Sequence, residues 1–98
     1  ALSLAGGYPP ALYRYRVALG RARVKLNDLP TAISAYQGAI EVSPPGEVWR
    51  NEEMLARLYS DLKDQTNSLR HLSRALELAP AEKRSDLLNL KNEILGRP

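Results

Sequence analysis

The fold is decided by residues 19–44, which read LGRARVKLNDLPTAISAYQGAIEVSP. A variant of this stretch recurs 36 residues later, where residues 55–80 read LARLYSDLKDQTNSLRHLSRALELAP. In this register leucine aligns with leucine, aspartate with aspartate and proline with proline, and small residues align with small residues. Self-similarity at a fixed period is the sequence signature of repeat architectures. The chain is therefore predicted to contain two copies of one structural unit.

Each copy has the pattern of two helices. The first helix of the first copy is expected from Pro10 to about Leu26, and the second from the N-cap Asp28 to about Val42, where the following prolines break it. In the second copy the helices are expected near 47–62 and 65–79, with Asp64 as the N-cap of the second helix. Helical spacing predicts one apolar face on the first helix. Its members are Leu12, Tyr15, Leu19, Ala22 and Leu26.

A fifth helix is expected over residues 81–95, with a polar back typical of the last helix in a stack. The apolar residues predicted to face the stack are Leu87, Leu88, Leu90, Ile94 and Leu95. The chain is thus interpreted as a single domain, 1–98. Its predicted parts are a tail (1–9), repeat one (10–44), repeat two (47–80) and a capping helix (81–95).

Composition agrees with an all-α fold and excludes several chemistries. The 98 residues include 17 Leu and 12 Ala but no Phe, which favours helix over sheet. With no Cys and one His, the chain lacks the usual ligands for zinc and the usual nucleophile–base pairs, so no metal, no cofactor and no enzymatic activity are expected. No apolar run reaches the ~20 residues of a bilayer span, so no membrane insertion by this segment is expected.

The charge of the chain is concentrated near its start. The net charge is +3, yet residues 1–27 carry five basic side chains and no acid, while residues 28–98 carry nine basic and eleven acidic groups. A nucleic-acid-binding protein usually spreads Lys and Arg across a face and interleaves them with aromatic residues or a recognised motif, and no such motif occurs here. An acidic peptide is therefore favoured over nucleic acid as the partner of this basic helix.

The repeat resembles the tetratricopeptide repeat, a pair of antiparallel helices with small and large residues at fixed positions. The first copy supplies Leu19-Gly20, Ala32, Tyr36, Ala39 and Pro44, and the second supplies Leu55-Ala56, Tyr59, Leu72, Ala75 and Pro80. The period of 36 is longer than the family's 34, and the early Trp of the family is replaced by Arg16 and Glu52. The resemblance implies a right-handed superhelical stack of antiparallel helix pairs, with two repeats and a C-terminal capping helix.

The resemblance also implies a concave groove, lined by the first helix of each repeat, that holds a peptide or helix of a partner protein. The groove residues it implies are Arg14, Val17, Arg21, Val24, Lys25, Arg50 and Arg57. Guanidinium groups in such a row suit carboxylates. The function expected is a protein–protein interaction module, and the alternative is a regulatory or targeting part of a larger enzyme or membrane protein. Two and a half repeats are near the minimum for a stable stack, so a longer parent protein or self-association is expected.

Four further residues are of types that often bind ligands or catalyse reactions. His71, with no second His and no Cys, is interpreted as a partly exposed helix residue rather than a ligand. Trp49 is predicted to pack against the fold rather than to stay exposed as an interface anchor. Glu52 and its neighbour Glu53 diverge by about 100° on a helix and cannot act together on one bond.

Overall fold

Five α-helices account for most of residues 10–96, the part of the chain that the computed structural model describes. They are α1 (Pro10–Lys25), α2 (Leu29–Glu41), α3 (Val48–Asp61), α4 (Gln65–Leu78) and α5 (Ala81–Leu95), with a short 3-10 helix at Pro45–Glu47. Within the described residues there is no strand, so the all-α prediction is confirmed. The predicted helix ends agree with the observed ones to within one residue. The predicted tail, 1–9, lies outside the described residues.

The chain divides into two compact units on either side of the Pro45–Gly46 bond. In the first unit, α1 packs on α2; in the second, α3 packs on α4 and α5 packs on α4. The turns within each pair are only three residues long, which makes the paired helices antiparallel. Each unit is therefore built around one helical hairpin, as the repeat predicts.

The turn inside each hairpin has the same construction. Asn27 and Lys63 adopt left-handed φ values of 58° and 64°, respectively. The next residue then caps the second helix, since the carboxylate of Asp28 accepts a hydrogen bond from Thr31 N at 3.4 Å and that of Asp64 accepts one from Asn67 N at 3.1 Å. Such caps satisfy backbone donors that have no partner inside the helix. Both predicted N-caps are confirmed.

In the first unit the packing of α1 is centred on Gly20, its only buried residue. The ring of Tyr36 lies so close to Gly20 that a Cβ added there would be 2.6 Å from Tyr36 Cε2. The predicted apolar face of α1 was wrong in part, because Tyr15 and Leu26 are 64% and 69% exposed and Ala22 is exposed too. The helix carries apolar residues on two sides, and the side with the smallest residue is the one that approaches α2.

In the second unit, three helices share one core. Each helix contributes two of its buried residues: Trp49, Ala56, Leu72, Ala75, Leu87 and Leu90. The prediction that Trp49 packs against the fold is confirmed. The prediction for the apolar face of α5 was wrong at Leu88, which is 47% exposed because it lies about 100° around the helix from Leu87.

Candidate partner-binding surface

The basic residues predicted for the first repeat lie on the exposed side of α1. Arg14, Arg21 and Lys25 are all exposed, while Val17 and Val24 are half-buried. Arg14 and Arg21 are seven residues apart and Lys25 follows four residues later, so the three side chains leave α1 within about 40° of one another. We call Arg14, Arg21 and Lys25 the α1 stripe.

The middle residue of the α1 stripe is held by the hairpin itself. The Arg21 guanidinium is hydrogen-bonded to the hydroxyl of Tyr36 on α2. Burial raises the pKa of Tyr36, and the nearby positive charge of Arg21 opposes that rise. The phenol therefore stays neutral and positions the guanidinium without cancelling its charge.

The other two basic residues of α1 are used within the first unit. Arg16 donates from Nη1 to the carbonyl oxygen of Gly38 at 2.8 Å, and the same nitrogen lies 3.9 Å from Glu41. Arg23 lies 3.8 Å from Asp28. Since residues 10–45 contain no other acid, both carboxylates of this unit are already paired with basic residues outside the α1 stripe.

The arginines predicted for the second repeat are paired with carboxylates of their own helix region. Arg57 donates from Nε and Nη2 to Glu53 at 3.2 and 3.0 Å. Arg50 lies 3.2 Å from Glu47 and also stacks over the ring of Trp49, 5.1 Å from its centroid. These exposed pairs add little stability, but they reduce the positive charge that α3 presents.

A groove runs between α3 and α5 inside the second unit. Its first part, of about 460 Å³, is lined by Arg50 and Arg57 from α3 and by Lys83, Asp86 and Asn89 from α5, with the apolar edges of Trp49 and Leu87. A second part, of about 250 Å³, continues past Arg57 to Ser60, Leu90 and Ile94. The groove therefore offers both charges and apolar surface. The structure brings Arg50 and Arg57 together in it.

One polar cluster was missed from the sequence. Glu52 is 2% exposed, and its two oxygens accept from His71 Nδ1 at 2.6 Å and Arg74 Nε at 3.0 Å. The His71 ring also stacks on Tyr59, with the centroids 5.4 Å apart. The sequence does contain a pattern that could have indicated this cluster. Glu52 lies among the core positions of α3, and His71 and Arg74 are three residues apart on the helix predicted to pack against it.

This cluster holds the hairpin together rather than forming a reactive site. An ionised carboxylate can only accept hydrogen bonds, so the proton between Glu52 and His71 belongs to Nδ1. The other ring nitrogen, Nε2, is buried and has no hydrogen-bond partner among the described residues. Glu53 points instead to Arg57, in agreement with the interpretation that the two glutamates do not act as a pair.

Two further properties bear on the kind of site. In the part of the chain that the structure describes, no group of three His, Asp or Glu side chains is placed to hold a metal ion. None of the helices within residues 10–96 combines the length and the apolar character needed to cross a bilayer.

Comparison with known families agrees with the helical hairpin. Residues 53–82 match the family model described as the tetratricopeptide repeat. The matched segment begins in α3, includes all of α4 and ends in α5, so the resemblance seen in the sequence is confirmed for the second hairpin. This segment is therefore similar to the tetratricopeptide repeat, a unit that generally mediates protein–protein interactions. No curated protein and no solved structure matches the chain.

Proposed function

We propose that this chain is a non-enzymatic interaction module that docks a peptide or a helix of a partner protein. The partner lies against the first helix of each hairpin, on the exposed side of α1 and in the groove between α3 and α5. The residues that contact it are Arg14, Val17, Arg21, Val24, Lys25, Arg50 and Arg57. Helical repeats commonly use such extended surfaces because neighbouring helices provide a continuous wall.

The observation that supports this proposal most is the lining of the α3–α5 groove. Arg50 and Arg57 occupy one wall, and α5 supplies the facing wall with Lys83, Asp86 and Asn89. Side-chain donors and acceptors along a groove can bind the backbone and polar side chains of an extended peptide. Between the two walls the groove is lined by the edges of Trp49 and Leu87, whose side chains are otherwise buried, so a partner can add apolar contacts to the polar ones.

The experiment that tests the proposal compares two charge-matched baits in an affinity capture, read by mass spectrometry. The first bait carries Arg21→Glu and Arg57→Glu, on the proposed surface. The second carries Arg70→Glu and Lys91→Glu, which lie outside the described groove and the α1 stripe. Both variants change the net charge equally and should keep wild-type helicity by circular dichroism. We expect the first to lose partners that the second retains.

The site is placed elsewhere if both baits capture the same partners in equal amounts. A photo-crosslinking residue at Ser60, in the groove, sharpens the result because it must label the partner directly. The same residue at the exposed Ser73 on α4 is the control and should give no cross-link. Labelling from Ser73 alone would contradict the proposal.

A further inference from the structure

The two repeats have arginines at the same two positions, but these arginines have different neighbours. With the 36-residue register, Arg14 corresponds to Arg50 and Arg21 corresponds to Arg57. Each pair of arginines is therefore seven residues apart on the first helix of its hairpin. What differs is the set of neighbours that each arginine has.

The carboxylates that pair with the arginines of α3 have no counterpart in α1. Glu47, the partner of Arg50, corresponds to Ala11. Glu53, the partner of Arg57, corresponds to Val17. The first helix of the first unit has therefore kept the cations of the repeat without the acids that neutralise them.

Arg21 and its counterpart Arg57 also differ in the group that holds the guanidinium. Arg57 is held by the carboxylate of Glu53 through two hydrogen bonds, and this carboxylate offsets its positive charge. Arg21 is held by the neutral hydroxyl of Tyr36, whose counterpart in the second repeat is Leu72. A side chain that is ordered in advance loses less conformational entropy when a ligand binds. Arg21 is therefore both positioned and still charged.

The rest of the α1 stripe has no partner within residues 10–96. Among the described residues, Arg14 and Lys25 make no hydrogen bond and no ion pair. The segment 10–45 has five basic and two acidic residues, and the segment 46–98 has nine of each, so the net charge of +3 belongs to the first segment. Because Arg16 and Arg23 are paired with the two acids, this charge is carried by the α1 stripe.

We propose that the α1 stripe is the carboxylate-binding part of the molecule and takes an acidic segment of a partner protein. This inference rests on the proposed function. It assigns recognition of the partner's negative charge to the α1 stripe rather than to the α3–α5 groove. At about 1.5 Å per residue, the stripe extends over roughly 16 Å of α1. An extended acidic segment of about five residues covers that length.

The test measures binding of a fluorescein-labelled hexaglutamate peptide to the full chain by fluorescence anisotropy at low ionic strength. Hexaglutamine is the neutral probe and decauridylate RNA is the competing polyanion. Val17→Glu introduces into α1 the counterpart of Glu53, the carboxylate that pairs with Arg57 in α3. The new carboxylate should pair with Arg21 and weaken hexaglutamate binding about fivefold. Ala11→Glu, at an exposed position three residues before Arg14, should weaken it about threefold without affecting packing.

Two variants serve as controls for charge and position. Tyr15→Glu adds the same negative charge about 100° around α1, at an exposed site, and should change the affinity less than about twofold. Glu53→Gln frees Arg57 and should strengthen binding about two- to threefold. Tyr36→Phe keeps the ring on Gly20 but releases Arg21, so it should weaken binding about twofold with an unchanged melting temperature.

The inference is overturned if Val17→Glu, Ala11→Glu and Tyr15→Glu have equal effects, or if hexaglutamine binds as well as hexaglutamate. It is also overturned if decauridylate binds more tightly and with the same dependence on the α1 variants, since the surface would then read phosphates. If the partner cross-links from Ser60 but hexaglutamate does not bind, only this inference is refuted. If hexaglutamate binds but no partner cross-links from Ser60, only the proposed function is refuted.

Discussion

Arg16 in the first hairpin and Glu52 in the second occupy the same place in the repeat and carry opposite charges. Arg16, 33% exposed, crosses to α2 and binds the carbonyl of Gly38. Glu52, 2% exposed, binds His71 and Arg74 on α4. The residue that corresponds to Arg74 in the first repeat is Gly38, so each first helix carries the charge that its own partner helix accommodates.

This difference suggests how each helix recognises its partner along a repetitive chain. If α1 packed on α4, Arg16 would approach Arg74 and His71 without the carboxylate that pairs with them in the second hairpin. If α3 packed on α2, Glu52 would be buried without a cation. A buried charge without a partner is strongly unfavourable. The repeat therefore preserves a helical hairpin while the polar residues at one position distinguish the two copies.

The apolar contacts show a second exchange between the copies. The first hairpin places the large ring of Tyr36 on Gly20, where there is no room for a Cβ. The second has Ala56 and Leu72 at the corresponding positions, both in its core. A smaller residue on one helix accompanies a larger residue on the other, so close packing is kept while its members change.

The largest effect on stability is expected from removing the buried carboxylate. Glu52→Ala leaves the Nδ1–H of His71 unpaired and the guanidinium of Arg74 without its partner. We expect the free energy of unfolding to fall by about 3 kcal/mol. The measurement is urea denaturation followed by far-UV circular dichroism. The matched change Arg16→Ala should cost about 1 kcal/mol, because that side chain is partly solvated; equal losses would contradict the difference between the hairpins.

A smaller effect is expected at the contact between α1 and α2. Gly20→Ala forces a methyl group against the Tyr36 ring and should destabilise the chain by about 1 kcal/mol, since overpacking outweighs the better helix propensity of Ala. The double variant with Tyr36→Leu recreates the Ala–Leu pair of the second hairpin. Thermal denaturation of the two single variants and the double variant gives the coupling energy. We expect the double variant to have a higher melting temperature than Gly20→Ala. A melting temperature equal to or lower than that of Gly20→Ala would contradict the idea that the sizes of the two residues compensate each other.

The buried hydroxyl of Ser68 should matter less. It donates to the carbonyl oxygen of Ala56 at 2.6 Å, and the first repeat has Ala32 in the same place. Ser68→Ala removes the hydroxyl without leaving a large cavity and should cost about 0.5 kcal/mol. Urea denaturation checks the value, with the exposed Ser73→Ala as the control. A loss as large as that of Glu52→Ala would mean that this hydroxyl has a structural role that the contact does not account for.

The smallest expected effect is a change in acid sensitivity. Hydrogen bonds from Asn67 to Asp64 lower the pKa of that carboxyl below its ordinary value. Its contribution to stability is therefore present above the ordinary pKa and is lost as the pH falls through the lowered one. Asp64→Asn keeps a good N-cap that does not titrate. Melting temperatures measured from neutral pH to below about 4 should fall less steeply for this variant than for wild type; parallel curves would contradict the prediction.

The sequence predicted the helices well because their ends depend on local chemistry. The capping and helix-breaking residues act over only a few residues of chain. In the 36-residue register Asp28 aligns with Asp64 and Pro44 aligns with Pro80, so each copy supports the helix ends predicted for the other. The i,i+4 spacing of Glu53 and Arg57 also made their ion pair accessible to sequence reasoning. These features require no knowledge of which helix meets which.

The features that were missed depend on tertiary packing. Helix α1 has apolar residues on two sides, so periodicity alone did not show that Gly20, rather than Tyr15, faces α2. Glu52 and His71 are 19 residues apart, and their contact exists only because α3 and α4 close into a hairpin. The same limit applied to Arg21, because its partner Tyr36 was identified from the sequence only as one of the characteristic residues of the repeat.

The claim that the two hairpins are copies with different charge is tested most directly by NMR on the full chain. Arginine Nε–H resonances, assigned with single Arg→Lys variants, report each guanidinium separately during titration with hexaglutamate. We predict that the signals of Arg14 and Arg21 shift with ligand concentration while those of Arg50 and Arg57 stay in place. Shifts of Arg50 and Arg57 with an unchanged Arg21 signal would contradict the account.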